Sequence, residues 1–219
     1  MRTTTDRRSR ARRGFTLIEM VFALSIAALV MASAMAVANS SMGAFGTASS
    51  RAEMQEAARA ALDRVAAELR LTNPNGLFPT LTPLGSRTVQ FPTQIDPLTG
   101  NFTGPVVQIG FEYDPGEADD GLDNDGDGLV DEGRLVLTRN PGAAGQRRVT
   151  LCGDVAEWLE GEVTAVNNLD DNGNGIEDER GFWMVRAGDL VTVMLTVETV
   201  GAQGRRMRTT LDTAVLMKN

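Results

Sequence analysis

The chain has 219 residues, of which 42% are hydrophobic, so it suits one domain with a real core plus an export segment. Its formal net charge is −8. Residues 1–14 carry six Arg and one Asp, so a chain that starts at residue 15 would hold 15 basic and 28 acidic residues, a net charge of −13. Such a surface repels phosphate backbones and disfavours nucleic-acid binding. The chain has no His, the commonest general base, and Cys152 is its single Cys, which disfavours an enzyme and excludes an internal disulfide.

The N-terminal stretch combines a basic start with an apolar run. Residues 1–13 are basic and polar, and residues 15–38 have about the length, roughly 20 residues, that crosses a bilayer as a helix. Glu19 is the one charged residue in that run. A carboxylate near the bilayer interior costs roughly 2.5 to 3.5 kcal/mol on insertion scales, so Glu19 needs a partner. No Lys or Arg follows before Arg51, whereas a cut just before Phe15 would create an α-amino group nearby.

Residues 14–19, GFTLIE, resemble the cleavage and methylation site of type IV prepilins. The resemblance implies that a prepilin peptidase cuts after Gly14 and that Phe15 becomes N-methylated. It also implies that Glu19 pairs with the N-terminal amine of a neighbouring subunit during filament assembly. The expected partners are therefore the peptidase, other pilin or pseudopilin subunits and the inner membrane. The chain would be a single-pass inner-membrane protein with a periplasmic head before it enters a filament.

Two other export signals fit parts of the same stretch. A secretory signal peptide also has a basic start and an apolar run, and residues 34–36 or 36–38 would be its small-residue cleavage site. A twin-arginine signal could include residues 12–17. Neither alternative explains an acid five residues into the apolar run.

A helix is expected from residue 15 to residue 72, with its transmembrane part at about residues 15–38. Beyond about residue 50 it becomes amphipathic, because the following apolar residues recur at helical spacing: Met54, Ala58, Ala61, Leu62, Val65 and Leu69. Gly43 and Gly46 make a kink plausible. Residues 73–76, NPNG, end the helix.

Residues 73–219 are expected to form a β-rich head. The strand candidates are residues 88–91, 106–113, 134–139, 147–151, 182–186, 190–199 and 207–217. The strongest candidate places Val191, Val193, Leu195 and Val197 on one face, and residues 201–204 favour a hairpin to the last strand. Residues 155–160 fit a helical turn or a strand.

One long helix followed by an antiparallel sheet packed on its C-terminal half is an α+β arrangement, as in pilins. Residues 209–219 also resemble the closing strand of PilW-like minor pilins and J-type pseudopilins of type II secretion. The resemblance favours a minor pilin or pseudopilin, a structural and assembly subunit of a type IV pilus or type II secretion filament. The alternative is a filament-displayed, calcium-dependent adhesin.

The head contains an acidic repeat. Residues 123–132, DNDGDGLVDE, align without gaps to residues 170–179, DDNGNGIEDE. Oxygen ligands at alternate positions can wrap a hard cation, a Gly at position six permits a sharp turn, and position seven offers its carbonyl. The pattern resembles the first half of an EF-hand loop.

The repeat departs from the EF-hand at position twelve, where Arg134 and Gly181 replace the bidentate Glu. The closing ligand would then be Asp131 or Glu132 in one repeat and Asp178 or Glu179 in the other. Residues 119–132 hold seven acids and no base, which is unfavourable to compact without a cation, although solvated acidic turns are the simpler alternative. We predict one or two Ca²⁺ sites. Their candidate ligands are Asp123, Asp125, Asp127, Leu129, Asp131, Glu132, Asp170, Asn172, Asn174, Ile176, Asp178 and Glu179.

Overall fold

A 53-residue helix, α1, spans Leu17–Leu69 and is continuous through Gly43 and Gly46. The structure is a computed structural model that describes residues 14–81, 85–96, 98–99, 101–162, 166–174, 176–201 and 204–217. The predicted leader, except for Gly14, lies outside the described residues. Soon after α1 ends, the side chain of Asn73 accepts hydrogen bonds from the backbone N–H groups of residues 75 and 76, which form a short 3-10 turn.

The chain divides into two compact units, residues 1–45 and 46–219, and α1 contributes to both. In the first unit the helix is long and apolar enough to cross a membrane, and its most apolar 18-residue stretch is not buried against the protein. Large apolar side chains such as Phe22 and Leu29 are exposed there. A surface of this kind needs lipid or other protein around it.

The second unit contains an antiparallel sheet in which all seven predicted strand regions form strands. They are β1 (Thr88–Ile95), β2 (Phe102–Tyr113), β3 (Gly133–Arg139), β4 (Arg147–Val155), β5 (Phe182–Ala187), β6 (Leu190–Val200) and β7 (Arg206–Leu216). Strands β1 to β4 are neighbours in chain order. Strand β6 pairs with β5 and β7, and it joins β4 where Val155 pairs with Val197. Of residues 155–160, which fitted either a helical turn or a strand, Val155 is the last residue of β4. Trp158 then forms an isolated β-bridge with Arg180.

The core of this unit lies between the C-terminal half of α1 and one face of the sheet. The predicted inner face of β6 is buried, with Val191, Val193, Leu195 and Val197 at most 1% exposed. They belong to one cluster with the apolar face of the helix, which includes Val65. The predicted α+β, pilin-like fold is thus confirmed. The two acidic repeats lie in the connections between strands, which we call loop 1 (residues 114–132, β2 to β3) and loop 2 (residues 156–181, β4 to β5).

Candidate metal centre

Side-chain oxygens shape the backbone of loop 1. The carboxylate of Asp123 accepts hydrogen bonds from the N–H groups of Gly126 and Gly128, at 2.6 and 2.9 Å. Asp125 and Asp127 each accept one from the N–H two residues ahead, at 3.0 and 2.8 Å. Gly126 has a φ of +83°, a conformation that glycine adopts without strain. Gly128 has a φ of +97°, so the turn follows from the alternation of acids with glycines at positions four and six.

Loop 2 repeats this backbone arrangement. Asp170 accepts hydrogen bonds from the N–H groups of Gly173 and Asn174, at 2.6 and 3.0 Å. Asn172 and Asn174 accept from the N–H two residues ahead, at 3.0 and 2.9 Å. Gly173 has a φ of +77°. The two segments thus share the hydrogen bond from position four to the acid at position one and the two bonds accepted at positions three and five, whereas the second bond to position one comes from position six in loop 1 and from position five in loop 2.

Position nine of each repeat is occupied by an aspartate that holds the start of its loop. Asp131 accepts hydrogen bonds from the N–H groups of Asp120 and Gly121, at 3.1 and 3.0 Å. Asp178 does the same for residues 167 and 168, at 2.8 and 2.9 Å. Both aspartates have positive φ values, 54° and 52°. These carboxylates contact the loop backbone, so in loop 1 the glutamate that follows, Glu132, is the freer candidate for closing a cation site.

The acids of loop 1 form two groups that share Asp125. Asp123, Asp125 and Asp127 can each offer an oxygen within 4.8 Å of the others, and so can Glu117, Asp125 and Glu132. Burial, and then the nearby charges of Asp127 and Glu117, raises the pKa of Glu132 to about 7. This many carboxylate oxygens in so small a space disfavours full ionisation unless a cation is bound.

Loop 2 places neutral amides where loop 1 has acids. The side-chain amides of Asn172 and Asn174 donate hydrogen bonds to the carboxylate of Glu179, at 3.3 and 2.5 Å. Burial, and then the adjacent carboxyl of Glu179, raises the pKa of Glu162 to about 7. In the described part of loop 2, no three acidic side chains come as close together as those of loop 1.

Positions seven and twelve take different roles. Leu129, at position seven, is buried and anchors loop 1, whereas Ile176 is half-buried. At position twelve, Arg134 lies 3.8 Å from Asp114 in an ion pair. A Cβ atom added at Gly181 would overlap a backbone carbonyl oxygen, so no side chain fits there. The EF-hand closing ligand is therefore absent from loop 2 for a packing reason.

Glu117 and Glu162 were not among the predicted ligands, because the predictions began at the repeats. Each follows a glycine, Gly116 or Gly161, that has positive φ. A Cβ added at Gly116 would lie 3.5 Å from the Cβ of Asp125, at position three of the first repeat. A Cβ added at Gly161 would lie 3.0 Å from the Cβ of Asn172, at position three of the second repeat. The pair Gly-Glu ahead of both repeats was the sequence signal that could have identified these two acids.

A third acidic group lies where the two loops meet. Asp119, Asp131 and Glu157 can each offer an oxygen within 4.8 Å of the others. Glu157 is buried, forms an ion pair with Arg180 and accepts a 2.9 Å hydrogen bond from the hydroxyl of Tyr113. Burial raises the pKa of Glu157, although the Tyr113 hydrogen bond and the charge of Arg180 oppose the rise. Because the guanidinium of Arg180 and the hydroxyl of Tyr113 already pair with Glu157, this group is a structural contact between the loops.

The residues of the predicted processing site lie at the exposed start of the first unit. Gly14 precedes α1, and Phe15 is 84% exposed. Glu19 accepts hydrogen bonds from the backbone N–H and the hydroxyl of Thr16, at 2.8 and 2.9 Å, and the Thr16 hydroxyl accepts one from the N–H of Glu19. This reciprocal arrangement is a capping box, so before any cleavage Glu19 already has a local role.

Comparison with protein families finds one match, to the prokaryotic N-terminal methylation motif, over residues 9–35. No curated protein and no solved structure matches the chain significantly. The matched segment includes Gly14, Phe15 and Glu19, and it continues into the exposed apolar part of α1. The N-terminal region carries the motif of type IV prepilins, and the exposed apolar helix fits a membrane-anchored pilin.

Proposed function

We propose that this chain is a minor pilin or pseudopilin, a structural and assembly subunit of a type IV pilus or type II secretion filament. The observation that carries the proposal is a prepilin methylation motif at the start of a 53-residue helix, whose second half belongs to the core of an antiparallel sheet. A prepilin peptidase would remove residues 1–14. The chain would then be anchored in the inner membrane with its head in the periplasm until other subunits incorporate it.

Intact-mass spectrometry of the membrane fraction tests the processing step. We expect a chain that begins at an N-methylated Phe15. Gly14→Val should keep the precursor mass, because the resemblance places the cut at this glycine, whereas Arg13→Lys should be processed normally. A parent chain that starts after Ala36 or Ala38 would instead identify an ordinary signal peptide and contradict the proposal.

Within this class we propose the PilW-like minor pilins or the J-type pseudopilins. The support is the resemblance of residues 209–219 to their closing strand, together with the pairing of β7 along the whole of β6. Affinity purification from crosslinked cells of the native host distinguishes the two systems. We expect either a major pilin or a major pseudopilin to be captured, and capture of neither would contradict a filament subunit.

We also propose that the head is stabilised by Ca²⁺ at loop 1, and at loop 2 if its amides rotate to present oxygen. The predicted ligands Asp123, Asp125 and Asp127 support this, because each can offer a carboxylate oxygen within 4.8 Å of the others. Oxygen donors without His or paired Cys suit a hard cation and not zinc. Irregular loop geometry suits Ca²⁺ better than Mg²⁺, which demands a regular octahedron.

A further inference from the structure

Glu117 lies six residues before the first repeat and directly faces it. We propose that Glu117 is a ligand of the loop 1 cation and that the ion thereby joins the end of β2 to the start of β3. This inference rests on the proposed Ca²⁺ site and adds to it a ligand from outside the repeat.

The side chain of Glu117 is fixed by one of its two oxygens. Its Oε1 accepts hydrogen bonds from the backbone N–H groups of Asn124 and Asp125, at 2.9 and 2.8 Å. Its Oε2 is buried and has no hydrogen-bond partner among the described residues. The carboxylate is therefore oriented by the repeat, and its second oxygen is left for another ligand.

Glu132 presents a second oxygen of the same kind. The residue is 1% exposed, and its Oε2 has no hydrogen-bond partner within the described part of the chain. An oxygen of Glu132 lies within 4.8 Å of oxygens from Glu117 and Asp125. Leaving a buried carboxylate oxygen unpaired is costly, and placing two such oxygens beside the exposed carboxylate of Asp125 adds repulsion. A divalent cation among them removes both costs, which is why the geometry indicates a ligand.

In loop 2, amide donors take the place of a cation at one of the two corresponding glutamates. Glu162 takes the place of Glu117, and Glu179, which is fully buried, takes the place of Glu132. The amides of Asn172 and Asn174 donate to Glu179, whereas loop 1 has aspartates at these positions. Glu132 thus lacks the donors that its counterpart Glu179 has, whereas both oxygens of Glu162 are, like Oε2 of Glu117, buried without a hydrogen-bond partner among the described residues.

The proposed ligands lie at opposite ends of the β2 to β3 connection. Glu117 follows the end of β2 by four residues, and Glu132 directly precedes β3. The backbone N–H of Asp114 also donates to the carbonyl oxygen of Glu132, at 3.3 Å. An ion held by Glu117 and Glu132 would therefore close loop 1 at its base, which the repeat residues alone would not do.

Isothermal titration calorimetry of the full chain in detergent tests this inference. All proteins carry Asp170→Asn, which removes the first acid of the repeat in loop 2, so that the heat of Ca²⁺ binding reports loop 1. Glu117→Gln keeps the hydrogen-bond acceptor but removes the charge, and we expect it to raise the Kd at least tenfold. Glu177→Gln is the matched control, because it removes an exposed acid at position eight of the other repeat, and its Kd should stay within about twofold.

A Kd for Glu117→Gln no higher than that of the control would overturn the role of Glu117 while leaving the Ca²⁺ site in place. Absence of binding by the Asp170→Asn parent at millimolar Ca²⁺ would instead remove the loop 1 site itself. Circular dichroism confirms that each variant is folded. If Glu117→Gln does not fold, Glu117→Asp is used, which retracts the charge by one methylene, and unchanged affinity in that variant likewise refutes the inference.

Discussion

Replacing Asp125 and Asp127 by asparagine would give loop 1 the amides that loop 2 carries at Asn172 and Asn174. The asparagine Oδ1 atoms can still accept the two turn hydrogen bonds that the aspartates accept. The change therefore removes charge and not the shape of the turn. In the presence of a chelator, we expect this double variant to be at least as stable as the parent, because the remaining acids repel one another less.

In the presence of Ca²⁺, the parent should instead be more stable than the double variant. An ion that binds only the folded state stabilises it by RT ln(1 + [L]/Kd), about 2.7 kcal/mol at 100 times Kd. For a unit of this size that corresponds to an increase of about 5 to 11 °C in Tm. The parent should show this increase, and the double variant should lose most of it, because two of the charged ligands have become neutral.

Differential scanning calorimetry of the full chain in detergent, with Ca²⁺, with equal Mg²⁺ and with chelator, measures both effects. The matched control removes the same charge from exposed positions through Glu177→Gln with Asp212→Asn. It should respond to Ca²⁺ as the parent does. An equal response of the parent to Mg²⁺ would refute the choice of ion. A double variant that retains the parent's Ca²⁺ response would refute the roles given to Asp125 and Asp127.

Three further outcomes are expected. Glu19→Ala should leave membrane insertion unharmed, since it removes a charge from the apolar run, yet it should reduce the amount of chain in sheared filament fractions. Asn172→Asp with Asn174→Asp should lower Tm in chelator, because buried Glu179 loses two donors, and should enlarge the Tm increase caused by Ca²⁺. Gly181→Ala should lower the free energy of unfolding by about 2 kcal/mol or more in chemical denaturation, because its Cβ overlaps a backbone carbonyl oxygen.

Most of the fold could be predicted from sequence, because local periodicity decides it. Apolar spacing along the second half of α1 and alternation along β6 each identify a buried face, and both faces lie in one core cluster. The β6 to β7 hairpin follows from its glycine-rich turn. The bounds were less predictable: β2 begins four residues before the predicted strand, at Phe102, because pairing with β1 continues past a register shift near Pro92.

The candidate site was predicted only where its residues are close in sequence. Asp123, Asp125 and Asp127 converge because a turn brings alternate positions together. Glu117 joins them through hydrogen bonds to the loop backbone, which no periodicity encodes. Repeat alignment alone also could not separate the roles of positions nine and ten, since an acid stands at both in each repeat. Only the structure shows Asp131 bonded to the backbone and Glu132 facing the other acids.

A comparison of the two loops distinguishes the hydrogen bonds that shape the turn from the charges that would bind an ion. Hydrogen bonds from side-chain oxygens to the loop backbone occur in both repeats, so the turn does not require the full set of charges. The two loops differ in what surrounds the buried glutamate at position ten. Glu179 accepts hydrogen bonds from two side-chain amides of its own repeat, whereas Glu132 lies near acidic side chains, among them Asp125. Because a buried carboxylate must be paired, protonated or bound to a metal, the excess of acids over donors in loop 1 is the feature that favours a cation. In loop 2 the amides of Asn172 and Asn174 pair Glu179 but leave both oxygens of Glu162 buried without a hydrogen-bond partner among the described residues, so the contrast between the loops lies in Glu132 and Glu179.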